Sequence, residues 1–197
     1  MKKEFVTALL LLALGTPGAA VAAAPQAGSG QKTEQKPTLS GVLERTVDGI
    51  QHEVVPAAEA MPDDKYNFAP TQGEFKGVRT FGQQVKHIAV ANYMLGAAIM
   101  GEKKPPVDLG EGEDGPANIT SKADIVKFLK DSFDYLHKAV GTVTESNVMD
   151  ELQSPFGSNK TTRLRLVLVA TSHPFDHYGQ MVEYLRMNGI IPPASRK

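Results

Sequence analysis

Four stretches of this chain repeat apolar residues at steps of three and four, a period that commits most of it to amphipathic helices packed on one another. The first runs from about Leu39 to Met61, with Leu43, Val47, Ile50, Val54, Ala58 and Met61 on one face, and stops before Pro62-Asp63-Asp64. The second is expected to begin at Thr71-Gln72-Gly73-Glu74, where Thr71 and Glu74 can satisfy each other's free amides as a capping box. It continues through Val78, Phe81, Val85, Ile88, Asn92, Leu95 and Ile99. Nearly every residue from Ile88 to Met100 is apolar or small, so this end should be buried on all sides. A box-like cap at Ser121-Lys122-Ala123-Asp124 opens the third stretch, which turns Ile125, Phe128, Leu129, Phe133, Leu136, Val140 and Val143 inward. The fourth begins near Thr161 or Thr162 and turns Leu164, Val167, Leu168, Thr171, Phe175, Tyr178, Val182 and Leu185 inward. Asn188-Gly189 closes it, and Pro192-Pro193 prevents continuation. No strand-period segment matches these in strength. The fold class is all-α, a four-helix bundle.

Loop lengths bear on topology. The Pro, Gly and acid-rich connection from Gly101 to Thr120 is far longer than an antiparallel neighbour needs. A helix of ~25 residues is ~38 Å long, and a loop of ~20 residues reaches about 60 Å when extended. A crossover joining parallel helices is therefore within reach, which permits an up-down-down-up order.

The N-terminus reads differently from the rest. Met1-Lys2-Lys3, an apolar run from Phe5 to about Leu14 and small residues through Ala22-Ala23-Ala24 describe a cleavable secretory signal peptide over residues 1–24. Its short basic start is of bacterial type, which places the mature chain in the periplasm or outside the cell. The apolar run is too short for a comfortable membrane span, so no stable span is expected after cleavage. Residues 25–38, rich in Gln, Gly, Ser, Lys and Pro, read as a flexible linker, which leaves residues 39–195 as one domain. The chain contains no cysteine, so disulfides and thiolate ligands are excluded and any metal site must use His, Asp or Glu. A formal net charge of −1, with charges dispersed, gives no electrostatic footprint for nucleic acid.

Two of the five histidines, His173 and His177, stand four residues apart inside the fourth stretch. That spacing stacks both imidazoles on one helix face, where they can reach the same metal ion. His52 lies about 200° around its helix from Ile50 and so faces solvent. His137, at the border of its buried face, reads as a partly exposed packing residue. His87 begins the apolar half of the second helix, ahead of Ile88-Ala89-Val90-Ala91. A neutral histidine in such a place needs a hydrogen-bond partner or a metal. Beside His173 and His177 on another buried helix, it points to a three-histidine site inside the bundle. Asp176 is a candidate acceptor that orients an imidazole, and Gln180 a candidate neighbour of the metal's open position. Gly179 is read as a place where another helix approaches closely, and Pro174 as a residue that could kink the helix and re-aim His173.

The segment Gly82-Gln83-Gln84-Val85-Lys86-His87-Ile88-Ala89 resembles the second-helix metal motif of the DinB superfamily. The segment from Thr171 to Arg186, with Gly189-Ile190-Ile191-Pro192-Pro193 after it, is similar to that family's fourth-helix motif. Tyr66-Asn67-Phe68-Ala69-Pro70 is similar to its first interhelical loop. The resemblance spans about Leu39 to Ser195. It implies an up-down-down-up bundle holding one divalent metal through His87, His173 and His177. It also implies kinship with thiol-dependent S-transferases and isomerases, and leaves a homodimer open.

Three imidazoles and an open fourth position would form a Lewis-acid centre, with zinc the best-suited ion and nickel next. The expected function is that of an exported metal-dependent hydrolase or thiol-dependent transferase acting on an unidentified small molecule. A non-enzymatic metal-binding or interaction module is the alternative. No residue is assigned a catalytic role.

Overall fold

In the computed structural model, which describes residues 36–196, four long helices account for just over half of the described residues. They are α1 (Leu39–Ala60), α2 (Phe81–Met100), α3 (Lys122–Gly141) and α4 (Arg163–Met187), with a short hairpin of β1 (Glu151–Gln153) and β2 (Lys160–Thr162) before α4. The expected signal peptide and residues 25–35 of the expected linker lie outside the described residues. Among the described residues, no helix is long and apolar enough to cross a membrane.

Side chains at the helix starts carry the caps. The Thr38, Ser121 and Thr162 hydroxyls accept from the amides of Gly41, Asp124 and Arg165, each satisfying a donor the first helical turn leaves free. α2 starts later than the sequence suggests. Its capping box is Thr80 with Gln83, not Thr71 with Glu74. The reason is tertiary: the amides of Phe81 and Gly82 donate to the carbonyls of Phe68 and Tyr66, both at 2.8 Å, so the loop at 66–68 folds over the helix start. Tyr66 is anchored there by its hydroxyl, which donates to the Ala58 carbonyl at 2.7 Å, and by edge-on packing against Phe81. Gly73 and Gly77, both at positive φ, belong to the loop rather than to a helix.

The core lies between the helices and includes the fully buried Val47, Ile50, Phe81, Ile88, Leu95, Leu129, Phe133, Leu136, Met181 and Leu185. α3 packs on both α1 and α2, and α4 on both α1 and α2. Paired residues give the directions. Glu59 meets Lys130 and Asp48 meets His137, so α1 and α3 run antiparallel. Gly82 approaches Ile125 and Gly96 approaches Tyr135, so α2 and α3 run parallel. Arg163 reaches the Ile99 carbonyl while Tyr184 reaches that of Arg79, so α2 and α4 are antiparallel. These directions are compatible with an up-down-down-up order.

The buried face of α4 differs from the expected one. Leu166, Val167, Ala170, Pro174, His177, Met181, Tyr184 and Leu185 turn inward, while Leu168 and Phe175 are 52% and 47% exposed. Two apolar ladders overlap on this helix, and the one that packs carries a proline and histidines that conceal it from a hydrophobic count. The hairpin escapes a periodicity reading for a different reason, since its three-residue strands bury little.

Candidate metal centre

α2 and α4 cross with their polar residues in register, and at the crossing lie His87, His173 and His177. The Nε2 atom of His173 is 3.2 Å from Nε2 of His87 and 3.2 Å from Nε2 of His177. One ligand atom from each of the three lies within 4.8 Å of the others. His87 is 9% exposed and His177 7%. α4 continues as helix through Pro174, and His173 remains within the cluster. His52 is exposed, and His137 sits half-buried between α3 and α1 with Nε2 3.0 Å from Gln51 Oε1. Neither belongs to the cluster.

The long connection between α2 and α3 folds back over the first turns of α2. The Nδ1 atom of His87 lies 2.9 Å from the Glu113 carbonyl, which can only accept, so the neutral form of the ring carries its proton on this nitrogen and keeps Nε2 as a lone pair. Arg79 fastens the same loop, its Nη2 2.9 Å from Glu113 Oε2 and its Nε 2.6 Å from Asp114 Oδ1. The Lys86 ammonium donates to the Pro116 carbonyl at 3.1 Å. Gly115 adopts φ +75° where a Cβ would stand 3.2 Å from that of Lys86, so both its backbone and its contact favour glycine.

Burial, followed by the charge of neighbouring imidazoles, pushes His173 and His177 from 6.5 down to about 4. Asp176 opposes this depression through its negative charge. Both rings are thus neutral near pH 7, the form that ligates a metal. Their Nδ1 atoms are buried without a hydrogen-bond partner among the described residues, unlike that of His87. The three Nε2 atoms together leave room for at most one proton between them, whereas a cation would satisfy all three lone pairs. A tetrahedral zinc with bonds of about 2.0–2.1 Å separates its nitrogen ligands by about 3.3 Å, close to the spacing here. The cluster fits such an ion.

Of the two other residues singled out from sequence, Gln180 faces α2 and accepts from Gln84 Nε2 at 2.7 Å, while its own amide donates to the exposed Asp176 at 3.3 Å. The hydrogen bond that orients an imidazole comes from the Glu113 carbonyl, which no sequence signal identifies. Gln84 could have been found, because it lies one turn from His87 on the same face of α2. No described residue comes within 4 Å of where a Cβ on Gly179 would stand, so among the described residues no helix approaches it.

Together these features define a class: four-helix bundles with a three-histidine cluster between the second and fourth helices. A family model described as the DinB superfamily matches residues 46–181, and the chain belongs to that superfamily. Among solved structures, it is similar to a DinB-like protein from Bacillus cereus, with a TM-score of 0.60 and 18% identity over 79% of this chain and 96% of that one. It is also similar to a DinB-like protein from Bacillus subtilis, with a TM-score of 0.54 and 21% identity over 74% of this chain and 92% of that one. At such identities the likeness shows the fold alone. No curated protein matches the chain.

Proposed function

We propose that this protein binds one divalent metal ion, zinc ahead of nickel, through His87, His173 and His177, and uses it as the Lewis acid of a hydrolase acting on a small molecule. The observation that carries this reading is the number of ligands. Three imidazoles converge, and among the described residues no fourth His, Asp or Glu joins them. Structural zinc sites are closed by four protein ligands, whereas catalytic ones keep a position open. A zinc ion so held lowers the pKa of bound water to about 7. The chain's own residues would fix the geometry, with Glu113 holding His87 in the right tautomer and burial keeping His173 and His177 unprotonated.

Hydrolysis is favoured over thiol transfer by the N-terminal sequence. Its signal-peptide pattern supports export to the periplasm or beyond, away from the cytoplasmic low-molecular-weight thiols that a transferase would consume. The test is metal analysis of purified mature protein, wild type and with His87→Ala, His173→Ala or His177→Ala, followed by a panel of ester, amide and thiol-transfer substrates. One equivalent in the wild type, lost in each variant, with metal-dependent hydrolysis is the expected result. Unchanged stoichiometry in all three variants would refute the site. Tight metal without turnover would leave a binding module in place of an enzyme.

A further inference from the structure

The side chains of Asp176, Gln180 and Gln84 form a directed chain of hydrogen bonds across the α2–α4 crossing. A carboxylate only accepts, so the Gln180 amide must present its NH2 to Asp176 Oδ2, at 3.3 Å. This turns Gln180 Oε1 toward α2, where it accepts from Gln84 Nε2 at 2.7 Å. The sense of both amides is then fixed, and Gln84 Oε1 is left as a bare acceptor. That oxygen is buried, without a hydrogen-bond partner among the described residues, in a residue only 3% exposed. Tyr184 lies beside the Gln84 amide as an acceptor, since its single hydroxyl proton is donated to the Arg79 carbonyl at 3.1 Å. An unpaired buried acceptor is costly, and native proteins seldom carry one without a use.

Its position suggests the use. Gln84 precedes His87 by three residues on α2, and Gln180 follows His177 by three on α4. The amide pair is therefore the layer next to the imidazoles, within the same helix crossing. We propose that Gln84 is a specificity-determining residue, its Oε1 accepting a hydrogen bond from an N–H or O–H group on the molecule held at the metal's open position. The class of ligand selected is a carbonyl compound with a donor adjacent to its metal-binding oxygen, such as an amide, in preference to an ester. Asp176 and Gln180 act through Gln84, as the groups that set its orientation. A ligand lacking the donor would leave the oxygen buried and unpaired, which is how sites built for a hydrogen bond reject close analogues.

This inference rests on the metal reading, and its test separates the two. The mature protein is first titrated with zinc. The zinc-loaded protein is then titrated calorimetrically with acetohydroxamate, which carries an N–H, and with N-methylacetohydroxamate, which does not. Wild type should favour the first by roughly tenfold or more. Gln84→Met, which keeps the volume but removes the acceptor, should erase that preference with zinc affinity unchanged. Equal binding of the two by wild type would overturn the proposal, since the oxygen would then be satisfied by something other than ligand, a trapped water included. A preference that survives in Gln84→Met would also overturn it, as would zinc binding without affinity for either hydroxamate. Failure to bind zinc at all would refute the metal reading, and this inference with it.

Discussion

The Nδ1 atom of His87 and the main-chain oxygen of Glu113 lie 2.9 Å apart, tying a candidate metal ligand to a loop that begins at the opposite end of α2. Mutation cannot delete a carbonyl, but the loop that carries it can be loosened. Arg79 holds that loop through both Glu113 and Asp114. Replacing it with Met keeps most of the stem packing and removes both ion pairs. Partners of this outer kind typically matter by 10–100-fold in metal affinity. Arg79→Met should weaken zinc binding by about tenfold, measured by competition with a chelator. The melting point of the metal-free protein should change little, because these carboxylates are largely exposed. Undiminished zinc affinity in the variant would mean that the loop does not orient His87.

Metal should also act as a stabilising ligand. An ion bound only by the folded chain adds about 2.7 kcal/mol at a hundredfold excess over its Kd. Zinc should therefore raise the melting point in a concentration-dependent way, and His177→Ala should abolish the rise. Differential scanning calorimetry at several zinc concentrations decides this, and a wild-type melting point indifferent to zinc and nickel would refute it.

In the metal-free protein, stability should fall with acid in a defined window. His173 and His177 are held near 4 in the folded state against an ordinary 6.5, by burial first and neighbouring imidazoles second. Between those values the unfolded chain binds more protons than the folded one, so stability rises with pH there. The contribution is fully present above 6.5 and is lost progressively as pH falls toward 4. Melting points taken across this window in a chelating buffer should drop, and a His173→Leu/His177→Leu double variant should show a flatter profile. Parallel profiles for the two proteins would assign the acid sensitivity to other groups.

The parts of this molecule legible in sequence are those set by local chemistry. Ser121 and Thr162 cap their helices because a hydroxyl there meets free amides a turn on, a relation contained in a few consecutive residues. The histidine cluster was legible because its members stand on two strongly helical segments whose period places them inward. Where two local solutions compete, sequence cannot choose. Thr71-Gln72-Gly73-Glu74 and Thr80-Phe81-Gly82-Gln83 both carry the capping pattern, and contacts from Tyr66 and Phe68 decide for the second. The same holds for α4, whose two apolar ladders are separated only by which one meets α1 and α2. Glu113 was unreadable on other grounds, since its contribution is a carbonyl that any residue would supply.

Two helical glycines should respond in opposite directions to the same substitution. Alanine gains up to about 1 kcal/mol over glycine inside a helix, because it has less backbone entropy to lose. At Gly179 no described residue lies within 4 Å of where a Cβ would stand, so Gly179→Ala should keep that gain and raise stability. At Gly96 the same atom would stand 2.9 Å from Cδ1 of Tyr135, where α2 and α3 are in close contact. That ring cannot yield easily, since its hydroxyl is bonded to Glu102 and the ring packs at a tilt against Tyr93 with centroids 5.4 Å apart. Overpacking of this sort costs about 1–3 kcal/mol, which outweighs the helical gain. Gly96→Ala should therefore lower the urea midpoint and Gly179→Ala raise it, with m-values unchanged in both. A stabilised Gly96→Ala would show that α2 and α3 have slack at this contact.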